Sequence, residues 1–449
     1  MASGVGKTTV ATGLMAALRA RGHRVAAAKV GPDFIDPGYH ALATGRPGRN
    51  LDSWICGEDA IEPLAARAAG GADMLVIEGV MGLFDGAAGD GPVASTASIA
   101  RLLEAPVVLV VDASATHRSV AAVVHGFATF EPDVRLAGVV LNRVGGPGHL
   151  ELLRGALSGL GVPLLGALDR DDALAWRDRH LGLVPVVEQE AAVRASLARL
   201  AGIVAASIDL EAVVAVARAA PTRSVADAPL PTPAGRARVA VAGGRAFSFL
   251  YQDNLEALAA AGADVVAFDP LADPALPEGT DALYVGGGFP EVWAPELAAN
   301  EPLLADVRAR VAGGLVTWAE CGGMLWLARS LDDVPLAGAL GAEGAMTARL
   351  TLGYRTATAL RDSPVAPTGA VLRGHEFHYS ALCPPGDALD VHGRRGRALG
   401  GYAGATLLAS YLHLHLGGDP TPARRFVATA SGAGRVDVDG TGHGNHVAR

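Results

Sequence analysis

Short apolar runs alternate with amphipathic segments along the first half of the chain. Four of these runs are short and mostly apolar and end at Gly-Pro or at a polar residue, which is typical of buried parallel strands. They span residues 24–30, 74–77, 107–112 and 136–142. Helical segments around 93–104 and 118–129 lie between them. Strands that alternate with helices indicate right-handed βαβ units. The pattern therefore predicts an α/β fold with a doubly wound parallel sheet.

The alternating pattern stops once and then starts again. Residues 221–236 are rich in Pro, Ala, Thr and Ser and show no periodicity, as expected of a linker. A new strand at 239–242 then begins a second α/β pattern. The predicted organisation is a first domain over 1–220, a linker over 221–236, a second domain over 237–416 and a tail over 417–449.

Composition narrows the class of protein. With 449 residues the chain is too long for one ordinary core, and its net charge of -9 argues against nucleic-acid binding. No run of 18 apolar residues or signal peptide is visible, so we expect no membrane partner. The three cysteines are widely spaced, which fits a reducing cytoplasm. The oligomeric state stays open, with a homodimer among the alternatives.

The first ten residues, MASGVGKTTV, predict a phosphate-binding loop at the start of a helix. Small residues let backbone N–H groups face phosphate oxygens, while Lys7 reaches the β/γ-phosphates and the Thr8 hydroxyl joins a Mg²⁺ shell. The alternative is a glycine-rich turn before an ordinary helix. The candidates for ATP binding in this loop are Ser3, Gly4, Gly6, Lys7, Thr8 and Thr9.

This loop departs from the usual G-x-x-x-x-G-K-[ST] pattern. Met1 stands where the first Gly belongs, and the strand that normally precedes such a loop is missing from the sequence. A loop of this kind directly follows a central strand of the sheet, and loss of that strand would leave a gap in the sheet. We therefore expect the natural protein to begin several residues upstream with an apolar strand.

Polar side chains follow the predicted strands, where open α/β sheets bind ligands. Asp33 and Asp36 are candidates for holding Mg²⁺ or substrate, with turn chemistry as an equal alternative. Glu78 ends a hydrophobic strand and has few structural reasons to lie there, so a metal-binding or water-ordering role is favoured. Asp85 also fits an Asp-Gly turn. Asn142 is a candidate for nucleotide-base contact or for a strand-end cap.

A second set of candidates lies in the second domain. Cys321 stands at a small-residue turn between the apolar strand 315–320 and an apolar helix start. A sharp turn of this kind presents a nucleophile near a helix N-terminus, which lowers the pKa of a thiol. The alternative is a buried structural thiol. The candidates for an oxyanion hole are the backbone N–H groups of Gly287, Gly288 and Gly322.

A thiolate nucleophile needs a base, and residues 410–416 provide two histidines. This segment alternates polar and apolar residues like a strand, so His413 and His415 are expected on one face. The pair His375 and His378 misses the H-E-x-x-H metalloprotease spacing by one residue. We therefore interpret that pair as structural or substrate-lining and not as a zinc site.

Seven segments of the chain together resemble the cobyrinic acid (or hydrogenobyrinic acid) a,c-diamide synthase family. They are 29–40 (KVGPDFIDPGYH), 49–54 (RNLDSW), 78–86 (EGVMGLFDG), 246–249 (AFSF), 286–291 (GGGFPE), 320–324 (ECGGM) and 411–415 (YLHLH). The resemblance extends from residue 1 to about 416. It implies an ATP-dependent synthetase domain similar to dethiobiotin synthetase, followed by a class I glutamine amidotransferase domain.

The resemblance also implies roles for the candidate residues. Cys321, activated by His413, attacks L-glutamine and releases ammonia. ATP phosphorylates a corrinoid carboxylate, and ammonia displaces the phosphate. Mg²⁺ is then held by Thr8, Asp33 and Glu78, and the substrate carboxylates lie near Asp36 and Asp85. Typical class I domains place a Glu two residues after the His, but this chain has His415 there. A Cys–His dyad is expected, and the group that orients His413 stays open.

Two rival functions are compatible with parts of the pattern. One is a related amidotransferase, either cobyric acid synthase or a sirohydrochlorin diamide synthase. The other is a partitioning-type switch ATPase with an inert amidotransferase-like module, but those ATPases carry a signature Lys where this chain has Ala2. The sequence leaves open whether the ring contains cobalt, which carboxylate reacts first and how ammonia travels.

Overall fold

The computed structural model describes residues 2–87, 93–171, 178–179, 182–222 and 230–432. Two α/β units follow each other along the chain. The elements of the first unit are α1 (Lys7–Ala20), β1 (Val25–Val30), α2 (Asp36–Thr44), β2 (Arg49–Leu51), α3 (Ile61–Ala69), β3 (Met74–Glu78), α4 (Thr96–Leu102), β4 (Val107–Asp112), α5 (Ser119–Thr129), β5 (Leu136–Val144), α6 (Pro147–Leu157), β6 (Leu164–Asp169), β7 (Asp178–Arg179), β8 (Gly182–Leu183), α7 (Glu190–Ser207) and α8 (Leu210–Arg218).

The second unit contains a longer series of elements. They are β9 (Ala237–Ala242), α9 (Gln252–Ala260), β10 (Ala263–Phe268), β11 (Ala282–Val285), α10 (Ala294–Ala299), α11 (Glu301–Ala312), β12 (Val316–Glu320), α12 (Gly322–Leu327), β13 (Ser330–Leu331), β14 (Val334–Pro335), β15 (Glu343–Ala359), β16 (Val371–Cys383), β17 (Leu389–Gly393), β18 (Gly396–Gly400), β19 (Tyr402–Gly404), β20 (Leu407–Ser410), β21 (His413–Leu414) and α13 (Thr421–Ala430).

The main strands of the first unit form two parallel half-sheets, with orders β2-β1-β3 and β4-β5-β6. Within the described residues, no strand pairs with the free edge of β3 or of β4. Helix α1 joins the halves, because Met15 packs in one apolar cluster with Val76 of β3 and Val110 of β4. In the described residues the first unit therefore contains two separate half-sheets, with helix α1 packed against both.

The second unit is built on a six-stranded sheet with the order β10-β9-β11-β12-β20-β19, parallel except at β19. Its central strands are buried along their length, so each face of the sheet carries an apolar cluster. One cluster contains Phe247 and Trp326, and the other contains Trp318. A second, largely antiparallel sheet contains β13 to β18 and β21.

Two boundaries differ from the sequence-based expectation. The strand expected over 410–416 is broken, because β20 ends at Ser410 and only His413–Leu414 pair with β16. Helix α13 contributes Phe426 to the apolar cluster around Trp318, so the second unit extends past residue 416. The linker residues 223–229 and the tail residues 433–449 lie outside the described residues.

The two units share an interface formed largely by the segment 49–54. Arg49 pairs with Asp253 and Glu256 of helix α9 at 2.7 and 2.6 Å. The Tyr354 hydroxyl of β15 donates to the Asp52 carboxylate at 2.9 Å. This segment therefore fixes the edge of the first unit against the second unit. Among the helices in the described ranges, none combines the length and the apolar character that a bilayer crossing requires.

Candidate functional site

The loop before helix α1 has the geometry that phosphate binding requires. Gly4 and Gly6 adopt φ angles of 79° and 92°, in the left-handed region that favours glycine. A Cβ on Gly6 would lie 2.2 Å from Asn142 Nδ2, so the loop also needs glycine there for space. In the described structure, the N-terminus of α1 has no side-chain cap and no acidic residue in its first turn. Its free N–H groups and positive dipole end suit an anion.

Residues 3–9 carry the candidate contacts for a nucleotide. Ser3 and Gly4 are exposed, while Lys7, Thr8 and Thr9 form the half-buried first turn of α1. The Lys7 ammonium donates to the Ala2 carbonyl at 2.8 Å. Burial lowers the pKa of Lys7, and the nearby Lys29 lowers it further. The ammonium is thus already folded over the loop that phosphate would enter.

Asn142 at the end of β5 contacts the backbone of the loop. Its amide nitrogen donates to the Val5 carbonyl at 2.9 Å, and its oxygen accepts the backbone N–H of Arg143. The sequence left open whether Asn142 contacts a nucleotide base or caps the end of a strand. These contacts favour the cap at the end of the strand. Asn142 acts on the nucleotide site through the position of Gly6.

A buried cluster of charges lies directly behind Thr8. The Thr8 hydroxyl donates to Glu78 Oε1 at 2.6 Å and lies 3.3 Å from Asp36 Oδ2. Lys29 Nζ bridges the same two oxygens, at 2.8 Å from Glu78 and 2.6 Å from Asp36. His40 Nε2 contacts the other Glu78 oxygen at 2.6 Å. The cluster therefore gathers oxygen ligands of the kind that Mg²⁺ prefers.

Strand register and helix periodicity assemble this cluster. Lys29 of β1 pairs directly with Glu78 of β3 in the parallel ladder. Asp36 and His40 are four residues apart on α2, so they lie on the same face of that helix. The sequence reasoning did not assign roles to Lys29 or His40. A lysine inside the otherwise apolar run 25–30 was the available signal, because an unpaired ammonium is rarely buried.

The charges in the cluster are unequal. Burial favours the neutral form of Glu78, but Lys29 and His40 outweigh it and hold the pKa of this carboxyl well below its usual range. Burial, together with the charges of Asp33 and Glu78, raises the pKa of Asp36 to about 7. Glu78 is therefore a permanent carboxylate, whereas burial and two neighbouring carboxylates make Asp36 the easier of the two to protonate.

Asp33 and Asp85 have turn contacts in the structure. Asp33 Oδ1 accepts the N–H groups of Ile35 and Asp36 at 2.8 and 2.9 Å, which starts helix α2. Asp85 Oδ2 accepts the N–H of Gly82 at 2.9 Å. Asp36, and not Asp33, is the carboxylate within reach of the Thr8 hydroxyl. Of the expected metal ligands Thr8, Asp33 and Glu78, Thr8 and Glu78 lie together, and Asp36 lies beside them where Asp33 was expected.

Cys321 lies at the sharp turn between β12 and α12. Its backbone has φ 48° and ψ -104°, a strained conformation for a residue with a side chain. Such a turn presents a nucleophile above the carboxyl end of a sheet. A Cβ on Gly322 would lie 3.0 Å from the Gly288 nitrogen, and a Cβ on Gly287 would lie 2.5 Å from His413 Cε1. The candidate oxyanion-hole glycines therefore converge around the nucleophile turn and His413.

The thiol requires activation. Burial raises the pKa of Cys321, the Glu291 charge raises it further, and the Gly322 N–H opposes the shift. His413 is 1% exposed, and in the described structure neither of its ring nitrogens has a hydrogen-bond partner. Its ring lies against His375 and Phe34, with centroid distances of 4.9 and 5.0 Å. A buried, unengaged imidazole of this kind is available to act as a base.

His415 has partners of its own. Its Nδ1 lies 3.0 Å from Cys56 Sγ of the first unit and accepts the Gly417 N–H at 3.1 Å. Its Nε2 faces Asp253 at 3.7 Å. His415 therefore contributes to the interface between the two units. These contacts agree with the choice of His413 over His415 as the candidate base.

Profiles of known protein families match both units. Residues 1–184 match the CobQ/CobB/MinD/ParA nucleotide binding domain, and residues 238–421 match the CobB/CobQ-like glutamine amidotransferase domain. Among solved structures, PurLQS from Thermotoga maritima covers 44% of this chain and 99% of its own, with 12% identity and a TM-score of 0.33. MinD with Mg-ADP from Pyrococcus horikoshii covers 48% of this chain and 90% of its own, with 18% identity and a TM-score of 0.29.

Curated relatives match nearly the whole chain. The hydrogenobyrinate a,c-diamide synthase of Streptomyces coelicolor is 50% identical over 95% of both chains. That of Thermobifida fusca is 49% identical over 96% of this chain and 95% of its own. The cobyrinate a,c-diamide synthase of Synechococcus is 42% identical over 95% of this chain and 96% of its own. A nucleotide-binding unit and a glutamine amidotransferase unit, joined in this order, therefore make the chain a member of the cobyrinate and hydrogenobyrinate a,c-diamide synthase family.

Proposed function

We propose that the chain amidates the a and c side-chain carboxylates of hydrogenobyrinate, using ATP and L-glutamine. The choice of the ring without cobalt rests on the relatives: those named for hydrogenobyrinate share 47–50% identity, and those named for cobyrinate share 40–44%. The single observation that carries the two-step scheme is the presence of two separate chemical centres, one around Thr8 and one around Cys321.

In the first centre, ATP transfers its γ-phosphoryl group to a substrate carboxylate and gives an acyl phosphate and ADP. Thr8, Glu78 and Asp36 would hold Mg²⁺, next to Lys29 Nζ, which contacts the same two carboxylate oxygens. Mg²⁺ held there would neutralise negative charge on the phosphate oxygens. Lys7 contacts the phosphoryl group during its transfer, and Lys29 keeps Glu78 ionised.

In the second centre, His413 takes the proton of Cys321 and the thiolate attacks the side-chain amide of glutamine. A thioester forms, ammonia leaves, and water releases glutamate. The N–H groups of Gly287, Gly288 and Gly322 stabilise the oxyanion. Ammonia then displaces phosphate from the acyl phosphate and forms the amide. Two such cycles modify the two carboxylates. Location in the cytoplasm and assembly into a homodimer belong to this proposal as well.

A crossed pair of variants tests this scheme. Cys321→Ala should lose glutamine-dependent amidation by at least 1,000-fold, on the scale of removing a nucleophile, and keep amidation from free ammonia. Glu78→Gln should lose ATP-dependent amidation from either nitrogen source by about 100-fold and keep glutaminase activity. Cys383→Ala, at an exposed cysteine, is the matched control and should change neither activity. Loss of both activities in Cys321→Ala, with the protein still folded, would contradict the two-centre scheme.

Substrate choice is measured separately. Purified protein is incubated with hydrogenobyrinate or cobyrinate, ATP and glutamine, and amide formation is followed by mass spectrometry. A preference for hydrogenobyrinate supports the proposal, and a preference for cobyrinate overturns the choice of ring while leaving the chemistry intact. ATP hydrolysis without amide formation from either ring would favour the switch-ATPase alternative.

A further inference from the structure

We propose that Glu320, the residue directly before the nucleophile, orients His413 and completes a triad with it and Cys321. This inference rests on the proposed glutaminase reaction and names a residue that had no role among the sequence-based candidates. The position two residues after His413 is occupied by His415, whose ring nitrogens face Cys56 and Asp253. The orienting carboxylate therefore has to come from another element.

Glu320 provides a carboxylate at the required place. Its Oε2 lies 3.8 Å from His413 Nδ1. In a catalytic triad this nitrogen carries the proton that faces the carboxylate, while the other nitrogen accepts the proton of the nucleophile. Both side chains are 1% exposed, so water does not screen their interaction. Catalytic hydrogen bonds are often long in the absence of substrate and shorten when it binds. The distance therefore fits a contact that tightens when His413 accepts the proton of Cys321.

A buried hydrogen-bond network holds Glu320 in this orientation. Its Oε1 accepts the Leu414 N–H at 3.2 Å, and its Oε2 accepts the Tyr284 hydroxyl at 3.2 Å. Asn254 supports the same place by donating to the Leu414 carbonyl at 2.8 Å. These donors are neutral, so they fix the carboxylate without cancelling its charge. The charge stays available for the imidazolium that forms during the reaction.

Among the described residues, Glu320 approaches the His413 ring within 4 Å, while Glu291 and Glu376 act on the neighbouring Cys321 thiol. The ring stacks on His375 from β16 and contacts Phe34 from the first unit. The charge of His413 also acts on His378 of β16. Burial and the charge of His413 keep the pKa of His375 well below its usual value, so His375 is neutral. Glu320 is thus the carboxylate that pairs with His413 among the described residues.

Glu320→Gln separates a positioning role from a purely structural one. Glutamine has nearly the same shape and lacks the charge, and its single carbonyl oxygen keeps one of the two hydrogen bonds that Leu414 and Tyr284 donate to Glu320. We expect kcat for glutamate release from glutamine to fall by 100-fold or more, with KM within threefold. The acid limb of kcat/KM should move to lower pH, because the protonated base has lost its negative neighbour. Glu320→Asp should recover at least tenfold of the lost rate.

Several controls keep this test interpretable. Asp306→Asn neutralises a carboxylate that also accepts a backbone N–H in the same unit, and it should leave glutaminase unchanged. Amidation from free ammonia shows that Glu320→Gln is folded and that the synthetase centre works. Glutamate release is measured alone, so a failure of the corrinoid assay does not affect the result. An unchanged kcat and pH profile in Glu320→Gln would overturn the proposal.

Discussion

At the scale of single residues, Asp52 shows how burial sets a charge. Its carboxylate is 1% exposed and accepts the N–H groups of Trp54 and Ile55 and the Tyr354 hydroxyl. Burial raises the pKa of Asp52 to about 6, although these three donors oppose the shift. The folded protein therefore holds this proton between pH 4 and 6, whereas the unfolded chain releases it.

Asp52→Asn should remove this pH dependence. A folded-state pKa above the unfolded one means that the free energy of unfolding falls as the pH rises from 4 to 6. Two pKa units correspond to about 3 kcal/mol. The variant should therefore be about 1 to 3 kcal/mol more stable than the parent at pH 8 and equal to it at pH 4. Chemical unfolding at both values measures this, with exposed Asp59→Asn as the control. An equal difference at both pH values would contradict it.

At the scale of secondary structure elements, strand β2 and helix α9 are joined by one arginine. The Arg49 side chain is 12% exposed, and its guanidinium pairs with Asp253 and both oxygens of Glu256. Burial would lower the pKa of Arg49, but these two carboxylates outweigh it and raise the pKa. The guanidinium donors form a rigid fork, so this paired and largely buried arginine fixes both the orientation and the distance of β2 relative to α9.

Arg49→Ala should destabilise the protein by about 1 to 3 kcal/mol, because the buried Asp253 would lose its closest cation and the partly exposed Glu256 would lose its arginine. A double-mutant cycle with Glu256→Gln should return a coupling energy of about 1 to 2 kcal/mol. Chemical unfolding of the four proteins provides the measurement. Arg361→Ala is the matched control, since its pair with Asp387 is exposed and should cost less than 1 kcal/mol. A coupling energy of zero would show that Arg49 acts through packing alone.

At the scale of the whole molecule, Phe34 connects the two centres. It lies between Asp33 and Asp36 in the first unit, and its ring contacts Tyr251 and His413 of the second, with centroid distances of 4.4 and 5.0 Å. A substrate that moves Asp36 therefore moves a side chain in contact with the candidate base. This arrangement favours glutaminase activity that depends on occupation of the synthetase centre.

Phe34→Ala should weaken that dependence. We expect the stimulation of glutaminase by ATP plus corrinoid to fall to less than twofold, and the ratio of glutamate released to amide formed to rise above one. Phe34→Leu, which keeps most of the apolar volume, should retain the stimulation. Phe130→Ala removes an exposed aromatic side chain of the same unit and is the control. Coupled turnover in Phe34→Ala would exclude this contact as the connection.

Features that depend on neighbouring residues could be predicted from the sequence. The apolar runs predicted the strands, Gly6-Lys7-Thr8 predicted a phosphate loop, and Cys321 followed by two glycines predicted a nucleophile turn. These features are local, because a strand, a loop or a turn is specified by residues close together in the chain. The family followed from the order of the motifs, and the relatives confirm it.

Which of these residues contact one another depends on the three-dimensional packing of the chain. The pairing of β1 with β3 places Lys29 on Glu78, and the face of α2 brings Asp36 instead of Asp33 to Thr8. The packing of the two units turned the segment 49–54 into an interface. The approach of Glu320 to His413 depends on strands far apart in the chain. Such contacts are set by register and by packing over long sequence separations, which hydrophobic pattern and motif spacing do not encode.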